Sequence, residues 1–154
     1  MIEYKQLFFL VIYSWYYNRR NEGKEMKYKK GYKYQLVEKE VFKTKIIGYS
    51  IDTPFIRLTL VGILTAKYGY AWNGANVIPD TKEVLRGSCG HDAGYQLISE
   101  GLLPISERIY VDELLRDCCI EDKAGKEYSN MIYQAVRIFG EKFAERKDEI
   151  LEAP

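Results

Sequence analysis

Apolar and polar side chains alternate along the chain from residue 32 onward, with a period of two. In the first such segment Tyr32, Tyr34 and Leu36 fall on one face, and their neighbours on the other face are mostly polar. A period of two is typical of a strand that buries one face. Four segments of this kind, at residues 32–36, 41–46, 55–60 and 63–70, predict a small antiparallel β-meander.

The pattern changes after residue 80, where apolar residues recur at helical spacing. Three helices are predicted, over residues 81–99, 106–121 and 127–146. Asp80 and Ser106 are expected to cap the first two helices, and Gly101 to end the first. Strands followed by helices favour an α+β fold, and the short link after Gly101 predicts that the first two helices pack as an antiparallel pair.

An apolar and aromatic run, Leu7–Tyr17, precedes these elements. It is shorter than the roughly 20 apolar residues of a transmembrane helix, so none is expected, and no signal-peptidase site follows it. The run could contact a partner protein or a second copy of the chain, lie on a membrane surface, or be upstream sequence outside the domain. We expect residues 1–25 to form an apolar extension and linker, and residues 26–148 to form one α+β domain.

Composition and charge narrow the classes of function. The 154 residues carry a net charge of +1, and no basic block is long enough for a nucleic-acid-binding arm, so nucleic acid is not an expected partner. Cys89, Cys118 and Cys119 form no Cys-x-x-Cys pair, and the chain has a single histidine, so a Cys/His zinc site with the usual ligand spacing is not expected. Buried free thiols are the favoured interpretation, and a bridge from Cys89 to Cys118 or Cys119 is the alternative.

The single histidine, His91, lies in the first predicted helix together with Asp92 and Tyr95. His91 and Tyr95 are one helical turn apart, whereas Asp92 points about 100° away and is not expected to hydrogen-bond His91. An imidazole can act as a general base near neutral pH. Asp92 would then bind a hard cation or serve as a second polar anchor, and Tyr95 would hydrogen-bond an aspartate.

A general base needs a partner that orients its other ring nitrogen. In an antiparallel pair, His91 lies ten residues before Gly101 and Asp112 lies eleven residues after it, so the two side chains should face each other. Asp117 is the next candidate for this role. Arg86 and Arg108 could bind a phosphate head group, but surface salt bridges are the favoured interpretation for both.

A turn is predicted at residues 71–76, just before the first helix, because the Asn73–Gly74 pair favours positive φ. The turn could present backbone carbonyls, such as those of Trp72 and Gly74, to a cation, with Asn73 and Asn76 supporting it. Asp80 could add a carboxylate to this site or serve only as the helix cap.

Several sequence motifs of this chain resemble those of a family of phage and prophage proteins of unknown function. The matching runs are Trp72–Asn76 (WNGAN), Pro79–Thr81 (PDT) and His91–Leu97 (HDAGYQL), and the resemblance covers about residues 27–140. Where this chain has Asn73 the family usually has aspartate, and where it has Gly94 leucine is common. If that aspartate were a metal ligand, Asn73 would weaken the site. The resemblance implies a phage protein located in the host cytoplasm or the virion rather than secreted.

A second, local resemblance covers about 50 residues. The run Cys89–Tyr95 is similar to the catalytic helix of secretory-type phospholipases, especially the bacterial ones. It implies that His91 activates water, Asp92 binds calcium near the Trp72–Asn76 turn, and Asp112 orients His91. It also implies a disulfide from Cys89 to Cys118 or Cys119. The chain departs from that family because one residue, not two, separates Cys89 from His91, and because the full glycine signature of the calcium loop is missing.

Two functions are therefore expected. The first is a phage-type hydrolase of uncharacterised specificity, with His91 and Asp112 at its centre, acting on a phospholipid or another ester and with Ca²⁺ as its candidate cofactor. The second is a non-catalytic virion or host-interaction protein, in which the same polar cluster holds two helices together.

Overall fold

The structure, a computed structural model, describes residues 26, 28–29, 33–75 and 78–145. Leu7–Tyr17 and Asn76 lie outside the described residues, so the predictions made for them stay predictions. The strands are β1 Tyr28–Lys29, β2 Tyr34–Leu36, β3 Glu40–Lys43, β4 Ile51–Asp52, β5 Ile56–Leu58, β6 Ile63–Ala66 and β7 Ala71–Trp72. The helices are α1 Lys82–Ser99, α2 Arg108–Glu121, α3 Lys126–Phe139 and α4 Glu141–Ala144, with a 3₁₀ turn at Ile105–Glu107.

The strands form two antiparallel sheets, and the α+β class predicted from the order of elements is confirmed. One sheet has the order β1-β2-β7 and the other the order β3-β6-β5-β4. Strands β4, β5 and β6 make a meander, but β3 pairs with the far edge of β6 and β2 belongs to the other sheet. Residues 71–72, predicted as part of a turn, form β7 because Ala71 and Trp72 pair with β2.

The first two helices begin and end close to the predicted residues. Gly101, with φ of +72°, ends α1. The amides of Gly101 and Leu102 reach back to the carbonyls of Ile98 and Leu97, a Schellman arrangement that glycine favours. Ser106 does not cap α2, because it lies inside the 3₁₀ turn and the helix begins at Arg108.

The third predicted helix divides at Gly140, where α3 ends and α4 follows. A β-carbon at Gly140 would collide with the Tyr95 hydroxyl and with the carbonyl of Val136. The chain therefore turns at a point where it packs directly on α1, and only glycine leaves room there. Periodicity along the segment could not show this contact, because it depends on how α3 docks.

Two glycines allow α1 and α2 to approach closely. A β-carbon at Gly94 would lie 2.6 Å from Cγ1 of Val111, and one at Gly87 would lie 3.0 Å from Cδ1 of Leu115. Residues later in α1 thus meet residues earlier in α2, which shows that the helices run antiparallel. Most of the circumference of α1 is buried, so it is the central helix of the domain.

Gly94→Ala is expected to lower the free energy of unfolding by about 1–2 kcal/mol, since the overpacking cost exceeds the gain in helix propensity. Urea denaturation would measure the loss. Val111→Ala removes the side chain that the new methyl group strikes, so the double variant should lose less than the sum of the two single variants. A Gly94→Ala protein as stable as wild type would contradict the close packing.

Among the described residues, no helix combines the length and apolar character needed to cross a membrane.

Candidate functional site

The Asp112 carboxylate lies at the centre of a polar network that joins three helices. Its Oδ1 accepts hydrogen bonds from Nε2 of His91 at 2.8 Å and from the Tyr95 hydroxyl at 2.7 Å, both from α1. Its Oδ2 accepts a hydrogen bond from Nη1 of Arg137, in the last turn of α3, at 2.7 Å. Asp112 is completely buried. The pairing of His91 with Asp112, predicted from helix levels, and the bond from Tyr95 to an aspartate are both present.

The second ring nitrogen of His91 is arranged differently. Nδ1 lies 3.8 Å from Oδ1 of Asp92, which is too long for a direct hydrogen bond, as expected for adjacent helical residues. Because a carboxylate only accepts, Nε2 carries a proton, and Nδ1 holds the lone pair whenever the ring is neutral. None of the described residues forms a hydrogen bond with Nδ1, and the His91 side chain is 10% exposed.

The two carboxylates set the charge of His91. Burial lowers the pKa of His91, but the hydrogen bond to Asp112 and the interaction with Asp92 outweigh burial and raise this pKa above its ordinary value of 6.5. Burial raises the pKa of Asp112, but the hydrogen bonds from His91, Tyr95 and Arg137 outweigh it and hold this pKa below 3.8. An imidazolium paired with a carboxylate is therefore favoured at least between pH 3.8 and pH 6.5.

Arg108 is buried, and the surface salt bridge predicted for it is wrong. Its guanidinium donates to the Tyr95 hydroxyl at 3.3 Å and to the carbonyls of Val136 and Arg137 at 3.3 and 3.2 Å. It also lies 3.6 Å from Asp112, one turn along α2. Since those carbonyls are at the C-terminal end of α3, Arg108 fastens that end to α2. Arg86, by contrast, does form the predicted salt bridges, to Glu121 and Asp122.

Asp80 holds the turn before α1, and its predicted role as the helix cap is wrong. One oxygen accepts the Ala75 amide at 2.7 Å and the other accepts the Tyr34 hydroxyl at 3.1 Å. Gly74 has φ of +77° and packs so closely on the carboxylate that a β-carbon would collide with it. Thr81 occupies the N-cap position of α1 and makes no side-chain cap hydrogen bond.

Trp72 fastens the same turn to α1. Its indole Nε1 donates to Oγ of Ser88 at 3.0 Å, and that hydroxyl donates to the carbonyl of Leu85. The ring stacks on Tyr70 with 6.4 Å between centroids and is tilted against Tyr34 at 5.3 Å. Asn73, the neighbouring residue, is exposed.

A small, partly open cavity of about 40 Å³ lies beside His91 and has room for about three water molecules. On its polar side are Ser88, His91, Asp92 and Tyr95. The rest of its lining is apolar and comes from the turn before α1, from α2 and from the α3–α4 corner: Ala75, Ile78, Leu115, Val136, Gly140 and Phe143. The turn before α1 and the helix α1 therefore border one space.

Metal ligation is a separate question. Within the part of the chain that the structure describes, no cluster of three or more His, Cys, Asp or Glu side chains is arranged to hold a metal ion. Both oxygens of Asp80 are already engaged in the turn. The calcium role predicted for Asp92, for the backbone of Trp72 and Gly74, and for Asp80 stays a prediction.

The three cysteines are buried and unpaired. Burial raises the pKa of Cys89 well above its ordinary range and, with smaller contributions from neighbouring charges, raises the pKa of Cys119 to about 11. Thiols held neutral in this way are poor nucleophiles. The favoured interpretation from the sequence, buried free thiols, matches this arrangement.

Sequence reasoning did not find Arg137 as a partner of Asp112. Arg108 carried one signal, since it precedes Asp112 by one helical turn, the spacing of an Arg–Asp pair. Arg137 carried none, because it belongs to a third helix whose docking the pattern of apolar residues does not specify.

The free energy of unfolding is expected to fall as the pH is raised from below 6.5 through the folded-state pKa of His91. The folded-state pKa of His91 is raised, so its stabilising contribution is complete below pH 6.5 and is lost as the pH rises through the folded-state value. The pKa of Asp112 is lowered, so its contribution is present above pH 3.8 and is lost only in acid. Urea denaturation across this range would measure the slope. His91→Gln should be flatter, and an equal slope in both proteins would contradict the assignment.

The chain matches no protein-family model, and no curated protein or solved structure shows significant similarity to it.

Proposed function

We propose that this chain is a hydrolase of the phage type, in which His91 takes a proton from water and Asp112 orients the imidazole. The observation that carries the proposal is the division of the two ring nitrogens. Nε2 is held at 2.8 Å by a buried carboxylate, while Nδ1 forms no hydrogen bond with a described residue and His91 borders a partly open cavity. A general base requires this combination of one nitrogen fixed in orientation and one free to react.

The reaction would proceed in two steps. A water molecule between Nδ1 and Asp92 gives a proton to Nδ1, and its oxygen attacks the carbonyl carbon of an ester. The carbon–oxygen bond to the leaving alcohol then breaks, and the imidazolium returns the proton to that alcohol. Asp112 stays ionised throughout and stabilises the imidazolium that forms between the two steps.

The surroundings of the cavity favour an ester with an apolar acyl group. Ile78, Leu115 and Val136 contribute to a mostly apolar lining, and the exposed fraction of Phe143 is 41%, so its ring borders both the cavity and the solvent. A volume of about 40 Å³ cannot take in a whole lipid. The scissile bond would therefore be presented at the opening, with the rest of the substrate outside.

The raised pKa of His91 has a consequence for the rate. Only the neutral imidazole can accept a proton, so the rate should rise with pH through the folded-state pKa of His91 and level off above it. A general acid in the same position would show the opposite dependence.

The test is hydrolysis by the purified full chain. Phosphatidylcholine and phosphatidylglycerol vesicles, each with Ca²⁺ or with EDTA, would test the lipid, and a short-chain nitrophenyl ester would test a soluble ester. Fatty acid or nitrophenol release that His91→Gln lacks is the expected result. Release only with Ca²⁺ would support Asp92 as a cation ligand, whereas release in EDTA would support the dyad without calcium. No release from any substrate, or equal release by His91→Gln, would overturn the proposal.

A second candidate is a non-catalytic virion or host-interaction protein, and one observation favours it. The network around Asp112 ties α1, α2 and α3 together with complete burial of the carboxylate, which is what a structural cluster would show. Thermal melting separates the two candidates. A His91→Ala protein that melts several degrees lower, in a chain that never shows hydrolysis, favours the structural role; hydrolysis by wild type that His91→Gln loses while it keeps most of its stability favours catalysis.

A further inference from the structure

Arg137 and His91 bind different oxygens of the Asp112 carboxylate. The Arg137 guanidinium donates a hydrogen bond to Oδ2 at 2.7 Å, whereas Oδ1 accepts hydrogen bonds from His91 and Tyr95. The Arg137 side chain is 30% exposed, so its charge is only partly screened by water, and it comes from α3 rather than from the helix pair that carries the dyad.

We propose that Arg137 is a positioning residue for His91, which holds the Asp112 carboxylate in the orientation the imidazole needs and offsets its negative charge so that the imidazole can release its proton. This inference rests on the proposed hydrolase function. Arg137 touches neither the imidazole nor the cavity, and it acts only through Asp112.

The charges around His91 explain why a nearby positive charge is needed for the imidazole to release its proton. From α1 it faces Asp92, at 3.8 Å, and the neutral hydroxyl of Tyr95; from α2 it faces Asp112. Two carboxylates flank one imidazole and favour its charged form, which cannot act as a base. The positive charges in the network, Arg108 and Arg137, both lie on the Oδ2 side of Asp112 and oppose this effect.

Arg108 cannot take over the role of Arg137. It lies 3.6 Å from Oδ2, beyond hydrogen-bond distance, and its donors are committed to Tyr95 and to the two carbonyls at the end of α3. By holding the carbonyl of Arg137 itself, it fixes the backbone from which the Arg137 side chain reaches Asp112. The two arginines thus have different functions, one anchoring the helix and one pairing with the carboxylate.

The test is an NMR titration of His91 in the full chain with EDTA present, so that no cation on Asp92 affects the midpoint; the imidazole signal is unambiguous because the sequence has one histidine. In Arg137→Gln the titration midpoint should move to higher pH, since a positive charge near the carboxylate is lost. Arg137→Lys keeps a charge but loses the geometry of the guanidinium, so its midpoint should move less. Arg116→Gln is the matched control, because Arg116 pairs with Asp117 and lies over the Tyr133 ring. Its midpoint should equal that of wild type.

The rate of hydrolysis in these variants should change in step with the titration midpoint of His91. At neutral pH the rate of Arg137→Gln should fall roughly three- to tenfold and recover at higher pH. The reason is that the fraction of neutral imidazole falls about tenfold for each pH unit by which the midpoint rises. An unchanged midpoint in Arg137→Gln would overturn the inference. If that variant does not fold, Arg137→Lys decides: a small upward shift supports the inference and none overturns it. The titration needs no activity, so a shifted midpoint in a protein without hydrolysis would refute the hydrolase proposal alone.

Discussion

Replacing Asp112 by alanine is expected to lower the free energy of unfolding by about 3–5 kcal/mol, because it leaves a buried imidazolium and two arginines without their carboxylate. The exposed fractions of the His91 and Arg108 side chains are 10% and 8%, so water cannot replace the lost partner. For a chain of this length the loss corresponds to a melting temperature lower by about 6–20 °C.

Thermal and urea denaturation of Asp112→Ala would measure this effect, with Asp117→Ala as the control on the same helix. The Asp117 side chain is 46% exposed and pairs with the adjacent Arg116, so its removal should change stability by less than about 0.5 kcal/mol. Equal losses in the two variants would contradict the central position that the structure gives to Asp112.

Replacing His91 is expected to reduce hydrolysis by about 10²–10⁴-fold, the usual contribution of a positioned general base. His91→Gln is the sharper variant, since its amide can still donate to Oδ1 of Asp112 but cannot exchange a proton at neutral pH. It should therefore keep most of the stability while losing the activity. His91→Ala loses both the base and the hydrogen bond and should melt at a lower temperature.

The pH profile of the same reaction adds an independent check. Wild type should show a rate that rises with pH through the raised pKa of His91, and any residual rate of His91→Gln should lack this rise. A residual rate with the wild-type profile would show that another group is the base and would remove His91 from the proposed reaction.

The contact between His91 and Asp112 was predictable because few variables determine it. A helix rises by a fixed distance per residue. The first helix ends in a Schellman turn at Gly101, and the short link that follows directs the next helix back along the first. Residues at matching distances from the link then face each other. Tyr95 followed from the same argument, since it lies one turn from His91.

The partner of Asp80 was not predictable from its neighbours in the chain. A carboxylate just before a helix can satisfy the helix N-terminus or a nearby turn, and local sequence supports both. Asp80 bonds to the turn side because Tyr34 of β2 donates to it. Tyr34 lies 46 residues earlier in the chain and approaches Asp80 only because β2 pairs with β7. The sequence contains no local signal for that approach.

The amino-acid sequence by itself determined the class of fold, the ends of the first helix, the antiparallel pair and the facing of His91 and Asp112, since each depends on local periodicity or on one short link. Only the tertiary structure decided that α3 docks with Arg137 on the far oxygen of Asp112, that Arg108 is buried at the end of α3, and that Gly140 lies against Tyr95. These contacts join segments far apart in the chain, and they form because the packing of a third helix fills the space that the first two leave.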